Sequence, residues 1–449
     1  MTTVPVRLTP AFLFALAACA PVGPDPLAPP RIDLPAAYVG ADAAAPVSRA
    51  ETRFWTAYRD PMLNDIIGRG LAQSLDILAA QERIRAAQAD LRGQGIAATH
   101  LSGNASASLT RSGAGGVSGE SHSAGLGAAL VFDLFGGLFR QRQASAAALD
   151  ASAAAAQATR LAWLAEVIGA YSNARYYQQA LEVTRQSIRT RDGTVRITAD
   201  KVEIGTATNL ELIQARAQLE SARADLPAHD AQFAAQVFRL AILLNEPAGP
   251  LLVRMQRGAP LLRIPPTPSA GIPADLLRIR PDVRQAEMAL VQATAAIGVA
   301  TADMLPSLTL SGSITDTGSS GWSFGPQLSL PVLNQTGLSA TRDRRVAEAA
   351  QAGIEWRAAV ASAIEDVQTA LSNLRRTRQR LSALSAALRS QEEAHDLAVS
   401  SFRENSITLL ELLEIDRTTV SARSAVLSAE NDAAQQWAVL SLAIGAGLE

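Results

Sequence analysis

Along most of the chain, apolar residues recur every three or four positions among Ala, Arg, Gln and Glu, the spacing of helices that bury one face. In two places the period falls to two. In residues 307–332, SLTLSGSITDTGSSGWSFGPQLSLPV, the apolar side chains are Leu308, Leu310, Ile314, Trp322, Phe324, Leu328, Leu330 and Val332. Ser, Thr and Gln fill positions between them, and residues 316–321 read as the turn. In the first half, Ala105, Ala107 and Leu109 alternate with Asn104, Ser106 and Ser108. Ala124, Leu126, Ala128, Leu130 and Phe132 then follow a turn of Gly, Ser and Ala. The pattern predicts two hairpins, with strands at about 101–113 and 122–133 and at about 306–316 and 322–332. Roughly ten residues is the length of a strand that crosses a bilayer at a tilt.

Each hairpin leads into a pattern without proline and nearly without glycine, from 138 to about 203 and from 338 to about 403. About 65 residues at a rise of 1.5 Å would form a helix on the order of 100 Å long. A turn follows each, and a returning helix opens on Thr-x-x-Glu, Thr208 to Glu211 and Thr408 to Glu411, the spacing of a capping box. The two returns are copies. Residues 201–223 and 401–423 align without gaps at a shift of 200, sharing Thr208/Thr408, Leu210/Leu410, Glu211/Glu411, Leu212/Leu412 and a closing Ser-Ala-Arg. Residues 83–110 and 287–314 repeat the same passage from helical spacing to alternation. The alanine-rich run ASAAALDASAAAAQATRLAWLAE allows close helix approach without a leucine zipper. The expected fold is mainly α with a small β membrane part.

Composition narrows the chemistry. A net charge of −2, a pI near 6.2 and 4% aromatic residues give no footing for nucleic acid. His100, His122, His229 and His395 lack ligand spacing, so no metal or cofactor is expected. Carboxylates fall on helix faces without paired partners, and no P-loop, G-x-S-x-G or Cys-His arrangement is present, so enzyme chemistry is not expected. The single cysteine, Cys19, closes the apolar run AFLFALAAC behind a weakly basic start at Arg7, the layout of a signal peptide. Leu16 to Cys19 reads as a lipoprotein signal with Cys19 lipidated; an incidental cysteine beside a secretory signal is the alternative. The Pro-rich residues that follow fit an extended tether. No later stretch reads as a membrane-spanning helix, so entry into a membrane would be through strands.

The expected organisation is a signal peptide over 1–18, a lipidated tether over 19–53, a first repeat over 54–245, a linker over 246–272 and a second repeat over 273–445. Four strands cannot close a transmembrane barrel, since the smallest single-chain barrels use about eight and an open edge in lipid leaves backbone groups unsatisfied. Several chains must share one barrel. Its apolar side chains would face lipid, and Ser307, Thr309, Ser311, Ser313, Gln327 and Ser329 would line a wet lumen.

Over nearly its whole mature length the chain resembles the TolC-like outer membrane factors, and within them the lipidated subgroup of RND-type tripartite multidrug efflux systems. The motifs are the lipobox at Cys19, FWTAYRDPMLNDII (54–67), VFDLFGG (131–137), LLRIRPDVRQAE (276–287), ADMLPSLTLSGS (302–313), GPQLSLPVL (325–333) and the duplicated helix starts. The resemblance implies a homotrimer with a β-barrel in the bacterial outer membrane, four strands from each of three chains, above a long antiparallel α-helical barrel in the periplasm. It would be the exit duct for small molecules, docked to a periplasmic membrane-fusion adaptor and driven by an inner-membrane RND-type transporter. A duct for type I protein secretion shares the architecture, and a coiled-coil lipoprotein without a pore is a third reading. Within RPDVRQAE, Pro281 and Asp282 suit a helix start, and Arg280 and Asp282 read as a local pair.

By the same resemblance, adaptor docking falls on Ile204, Gly205 and Thr206 and on Glu404, Asn405 and Ser406, and the periplasmic gate on Glu411, Glu414 and Phe402. The residues themselves leave alternatives open. The capping box already accounts for Glu411, and Phe402 suits a core equally well. Glu414 is the freest for the pore, because its counterpart is the uncharged Gln214 and no cap requires it.

Overall fold

The computed structural model describes residues 21–25, 38, 52–95, 99–114, 117–268 and 279–448. Cys19, the signal peptide and most of the tether lie outside them. A 3-10 turn at Phe54–Tyr58 precedes α1 (Pro61–Gln73), α2 (Leu75–Gly93), β1 (Thr99–Ala114), β2 (Val117–Phe132), α3 (Gly137–Glu203), α4 (Asn209–Leu243) and α5 (Ala248–Met255). Then come α6 (Pro281–Ala302), β3 (Ser307–Asp316), β4 (Ser320–Ser329), α7 (Gln335–Arg403) and α8 (Leu409–Ala443). No described helix is long and apolar enough to cross a membrane.

The chain divides into two compact units. The first holds residues 1–33, 80–156 and 281–360 and contains one four-stranded antiparallel sheet in the order β1-β2-β3-β4. Because side chains alternate across a strand, register decides which residues share a face. One face carries the rungs Leu101–Leu130–Leu310–Pro326 and Ala105–Leu126–Ile314–Trp322. The other carries Ser102–Ala129–Ser311–Gly325 and Asn104–Gly127–Ser313–Ser323. Helices of this unit meet on small and medium residues, with Ala147 packed among Met288, Val291 and Ala151.

Two strand limits differ from expectation. β2 begins at Val117 rather than about 122, because pairing continues from Arg111↔Glu120 to Ala114↔Val117 through residues of low strand preference. An Arg111–Glu120 ion pair at 3.0 Å spans that extension. β4 runs from Ser320 to Ser329 rather than 322 to 332; Pro331, which has no N–H to give a ladder, follows its end.

The second unit holds residues 34–79, 157–280 and 361–449. In its core Phe54 meets Trp437 at a tilt and Tyr58 meets it edge-to-face, and Tyr58 donates to the Ala434 carbonyl at 2.7 Å. Arg175 is fully buried, donating to the Tyr171 hydroxyl, Gln178 and the Met255 carbonyl, while Tyr171 donates to Asp60 at 2.7 Å. Burial pushes both tyrosine hydroxyls far above their ordinary range. Part of the stretch expected as a linker is packed: α5 occupies some of it, Trp437 donates to the Pro266 carbonyl at 2.8 Å, and Arg378 donates to Thr267 at 2.6 Å. Arg280, beside the start of α6, reaches Asp366 on α7 at 2.8 Å.

Candidate functional site: the helical tips and the polar sheet face

The first tip is the turn between α3 and α4. Gly205 takes the left-handed conformation (φ 78°), Thr206 N–H donates to the Lys201 carbonyl at 2.8 Å, and Gly205 N–H donates to Val202 at 3.1 Å. These two bonds close a Schellman end and satisfy carbonyls the helix would otherwise strand. The second tip repeats the device with Asn405 at φ 64°, Ser406 N–H on Ser401 at 2.8 Å and Asn405 N–H on Phe402 at 3.2 Å. Both returning helices then open on reciprocal capping boxes, Thr208 with Glu211 and Thr408 with Glu411.

Side chains separate the tips. Lys201, buried at the end of α3, donates to the Phe402 carbonyl and, at 2.6 Å, to the Asn405 carboxamide oxygen; its ammonium lies 4.0 Å from the Phe402 ring centroid. Phe402 is 4% exposed, in a cluster with Ala215, Ala398, Leu409 and Leu412. Of the two readings open for Phe402, this burial favours core packing, with the lysine above the ring. Deeper in this unit, Arg191 on α3 binds Asp416 on α8 at 2.8 Å, with the side chains 12% and 8% exposed, and His395 lies 3.7 Å from the same carboxylate. Sequence reading missed Lys201, Arg191 and Asp416. A signal was present, because each breaks the repeat: their counterparts are Ser401, Gln391 and Arg216.

The two acidic candidates differ in their partners. Glu411 accepts from the Thr408 N–H at 2.8 Å and from its hydroxyl at 2.9 Å, which hold its carboxyl below the usual range. Glu414 belongs to no cap but has a partner of its own. Arg417 grips it with two bonds at 2.9 and 2.6 Å and depresses its carboxyl likewise. The i, i+3 spacing of Glu414 and Arg417 made that pair legible in advance.

On the sheet, Ser307, Thr309, Ser311, Ser313, Gln327 and Ser329 share one face, and Ser313 and Ser323 hydroxyls meet across β3 and β4 at 2.9 Å. Opposite them Trp322, Phe324, Leu328 and Ile314 are exposed, Trp322 by 82%. The sequence model of the outer membrane efflux proteins matches residues 66–246 and again 272–446, once in each half.

The chain belongs to the outer membrane efflux protein family.

Nodulation protein T of Rhizobium leguminosarum bv. trifolii is 33% identical over 461 residues, covering 98% of this chain and 97% of the relative. The pyoverdine export outer membrane protein OpmQ of Pseudomonas aeruginosa is 29% identical, covering 88% of this chain and 87% of its own length. Among solved structures, the outer-membrane channel OprN superposes with a TM-score of 0.82 at 28% identity, covering 93% of this chain and 99% of that one. This outer membrane efflux protein is an exit duct for efflux, located in the outer membrane and extending into the periplasm. Its fold is the TolC-like one, a helical barrel with a small β-barrel to which each chain gives four strands.

Proposed function

We propose that three copies of this chain form one duct and that it passes small molecules received from an inner-membrane RND-type transporter through a periplasmic membrane-fusion adaptor. The sheet carries this reading. Four strands present a polar face of Ser, Thr, Asn and Gly and an exposed apolar face, while among the described residues β1 and β4 each keep an unpaired edge. Such edges are tolerable in lipid only when paired, and edge-to-edge closure of three sheets pairs them all. The polar rungs then line the lumen and Trp322, Phe324 and Leu328 meet lipid. The test is conductance in planar bilayers together with mass in detergent. A pore carried by a particle of three chains is expected, and a stable non-conducting monomer would overturn the reading.

At the mouth, adaptor docking would use Ile204, Gly205 and Thr206, whose tip also exposes Leu210 and Ile213, and Glu404, Asn405 and Ser406, where the counterpart of Ile204 is charged. Of the gate carboxylates, Glu411 supplies the net negative charge, because its hydrogen bonds come from uncharged Thr408, whereas Arg417 offsets Glu414. Three Glu411 side chains around one axis would favour cations. Reversal potentials should therefore lose cation preference in Glu411→Gln, lose it also in Glu414→Gln, where Arg417 is left without its carboxylate, and gain it in Arg417→Gln. Equal values in all three would remove both carboxylates from the selectivity site. Lipidation of Cys19 is proposed on the Leu-Ala-Ala-Cys signal, and palmitate labelling that persists in Cys19→Ser would refute it.

A further inference from the structure

Residues 21–23 follow the lipobox, yet they are seated in the first unit rather than trailing from it. Val22 N–H donates to the Phe135 carbonyl at 3.0 Å, and the Arg140 guanidinium donates to the Val22 and Gly23 carbonyls at 3.2 and 3.3 Å. Arg140 is buried, and its further hydrogen bond goes to Gln143 at 3.0 Å. A buried guanidinium is costly unless its donors are used, and here most of its use comes from the amino-terminal backbone. The seat is also shaped for a close backbone. A methyl group on Gly136 would lie 2.5 Å from the Pro21 Cα, and one on Gly298 would lie 2.9 Å from the Val22 oxygen and 2.7 Å from the Arg140 Cγ.

The seat joins the two copies. Phe135, Gly136 and Arg140 come just after β2, the last strand of the first copy, whereas Gly298 lies on α6, which leads into β3, the first strand of the second. β2 and β3 form the seam at which the two hairpins pair, with Phe132↔Leu308 the register pair nearest in sequence to both walls of the seat. We propose that residues 21–23 are a strap that clamps this seam, so that the membrane sheet needs the seated amino-terminal backbone itself, whatever is attached to Cys19. The strap's bonds are made by main-chain groups, so its geometry does not rest on the lipid or the trimer reading.

The test replaces residues 21–25 in the full chain by Pro21→Ser, Val22→Gly, Gly23→Ser, Pro24→Gly and Asp25→Ser, which preserves length and the lipobox and touches no helix or strand. A second variant, Arg140→Met, removes the donors instead. Each is read by oxidative crosslinking of Ala129→Cys to Ser311→Cys, opposite one another across the seam. This intrachain signal does not depend on how many chains assemble, and palmitate labelling runs in parallel. Crosslinking should fall about tenfold in both variants, the scale set by losing hydrogen bonds to a charged group, with labelling unchanged. It should be retained in Cys19→Ser carried behind a secretory signal. Full crosslinking in the strap variant would overturn the strap, and loss in Cys19→Ser with full crosslinking in the strap variant would assign the requirement to the lipid. Retained crosslinking in Cys19→Ser together with absent labelling of the parent would sink the lipid reading and leave the strap standing.

Discussion

At the first tip a glycine occupies the left-handed residue that ends the long helix; at the second an asparagine does, and the two bonds that close the Schellman end are the same in both. The capping boxes that follow are also the same, down to Thr N–H to Glu distances of 2.7 and 2.8 Å. What differs toward the tips is the side chains that pass from one copy to the other. Lys201 reaches Asn405 and Phe402, whose counterparts are Ser401, Gly205 and Val202; Arg191 reaches Asp416, whose counterparts are Gln391 and Arg216. The comparison teaches where a duplication is free to diverge. A cap is closed within one copy and is kept in both, whereas a bridge between copies needs a donor in one and an acceptor in the other. Asn405 shows the exchange: it accepts a left-handed backbone that suits glycine better and gains an oxygen for the lysine.

The largest break in this comparison should come from Asp416→Ala, which leaves Arg191 buried without its carboxylate. A loss of about 3 kcal/mol is expected in unfolding of the detergent-solubilised protein, at the low end for a broken buried pair. A cycle with Arg191→Met should show strong coupling, and additive losses would mean that the pair is not a bridge. Next, Lys201→Met removes two charge-assisted hydrogen bonds and the ring contact, about 2 kcal/mol locally. Hydrogen exchange at Asn405 and Ser406 should quicken by more than an order of magnitude, with less change at Gly205 and Thr206; equal changes at both tips would erase the asymmetry. Adding Asn405→Gly to that variant should slow exchange again, because the acceptor is no longer needed.

Smaller effects sharpen the shared half of the comparison. Thr208→Ala and Thr408→Ala should each cost about 1 kcal/mol, and by nearly the same amount, read from exchange of the first-turn amides of α4 and α8. The hydrogen bonds that hold Glu211 and Glu411 below the ordinary carboxylate range set the sign of the pH effect. Depressed carboxyls contribute stability that is fully present above their unfolded value, about pH 4.3, and lost as pH falls through the lower folded value. Both caps should therefore loosen together in that acid window, by less than the threonine substitutions because the groups are exposed. Loosening of one cap alone would show that the boxes are not equivalent.

The hairpins, the long helices, the duplicated returns and both capping boxes were legible in the sequence, as were the polar and apolar faces of β3 and β4. Each is written in residues only a few positions apart: alternation, helical spacing, and Thr-x-x-Glu. The Glu414–Arg417 pair was equally local and was passed over. Phe402, Lys201 and Arg191 were not legible in that way, because a ring three residues before a turn can face a mouth or a core, and a lysine at a helix end can face water or a carbonyl. The packed stretch after α4 and the seat of residues 21–23 belong with them. The sequence by itself determined the elements, the capped starts of the returning helices and the duplication, since dihedral preferences, caps and strand alternation are settled by near neighbours. Only the tertiary structure decided which side chains are buried and whom they meet, since burial and charge pairing depend on residues some two hundred positions away.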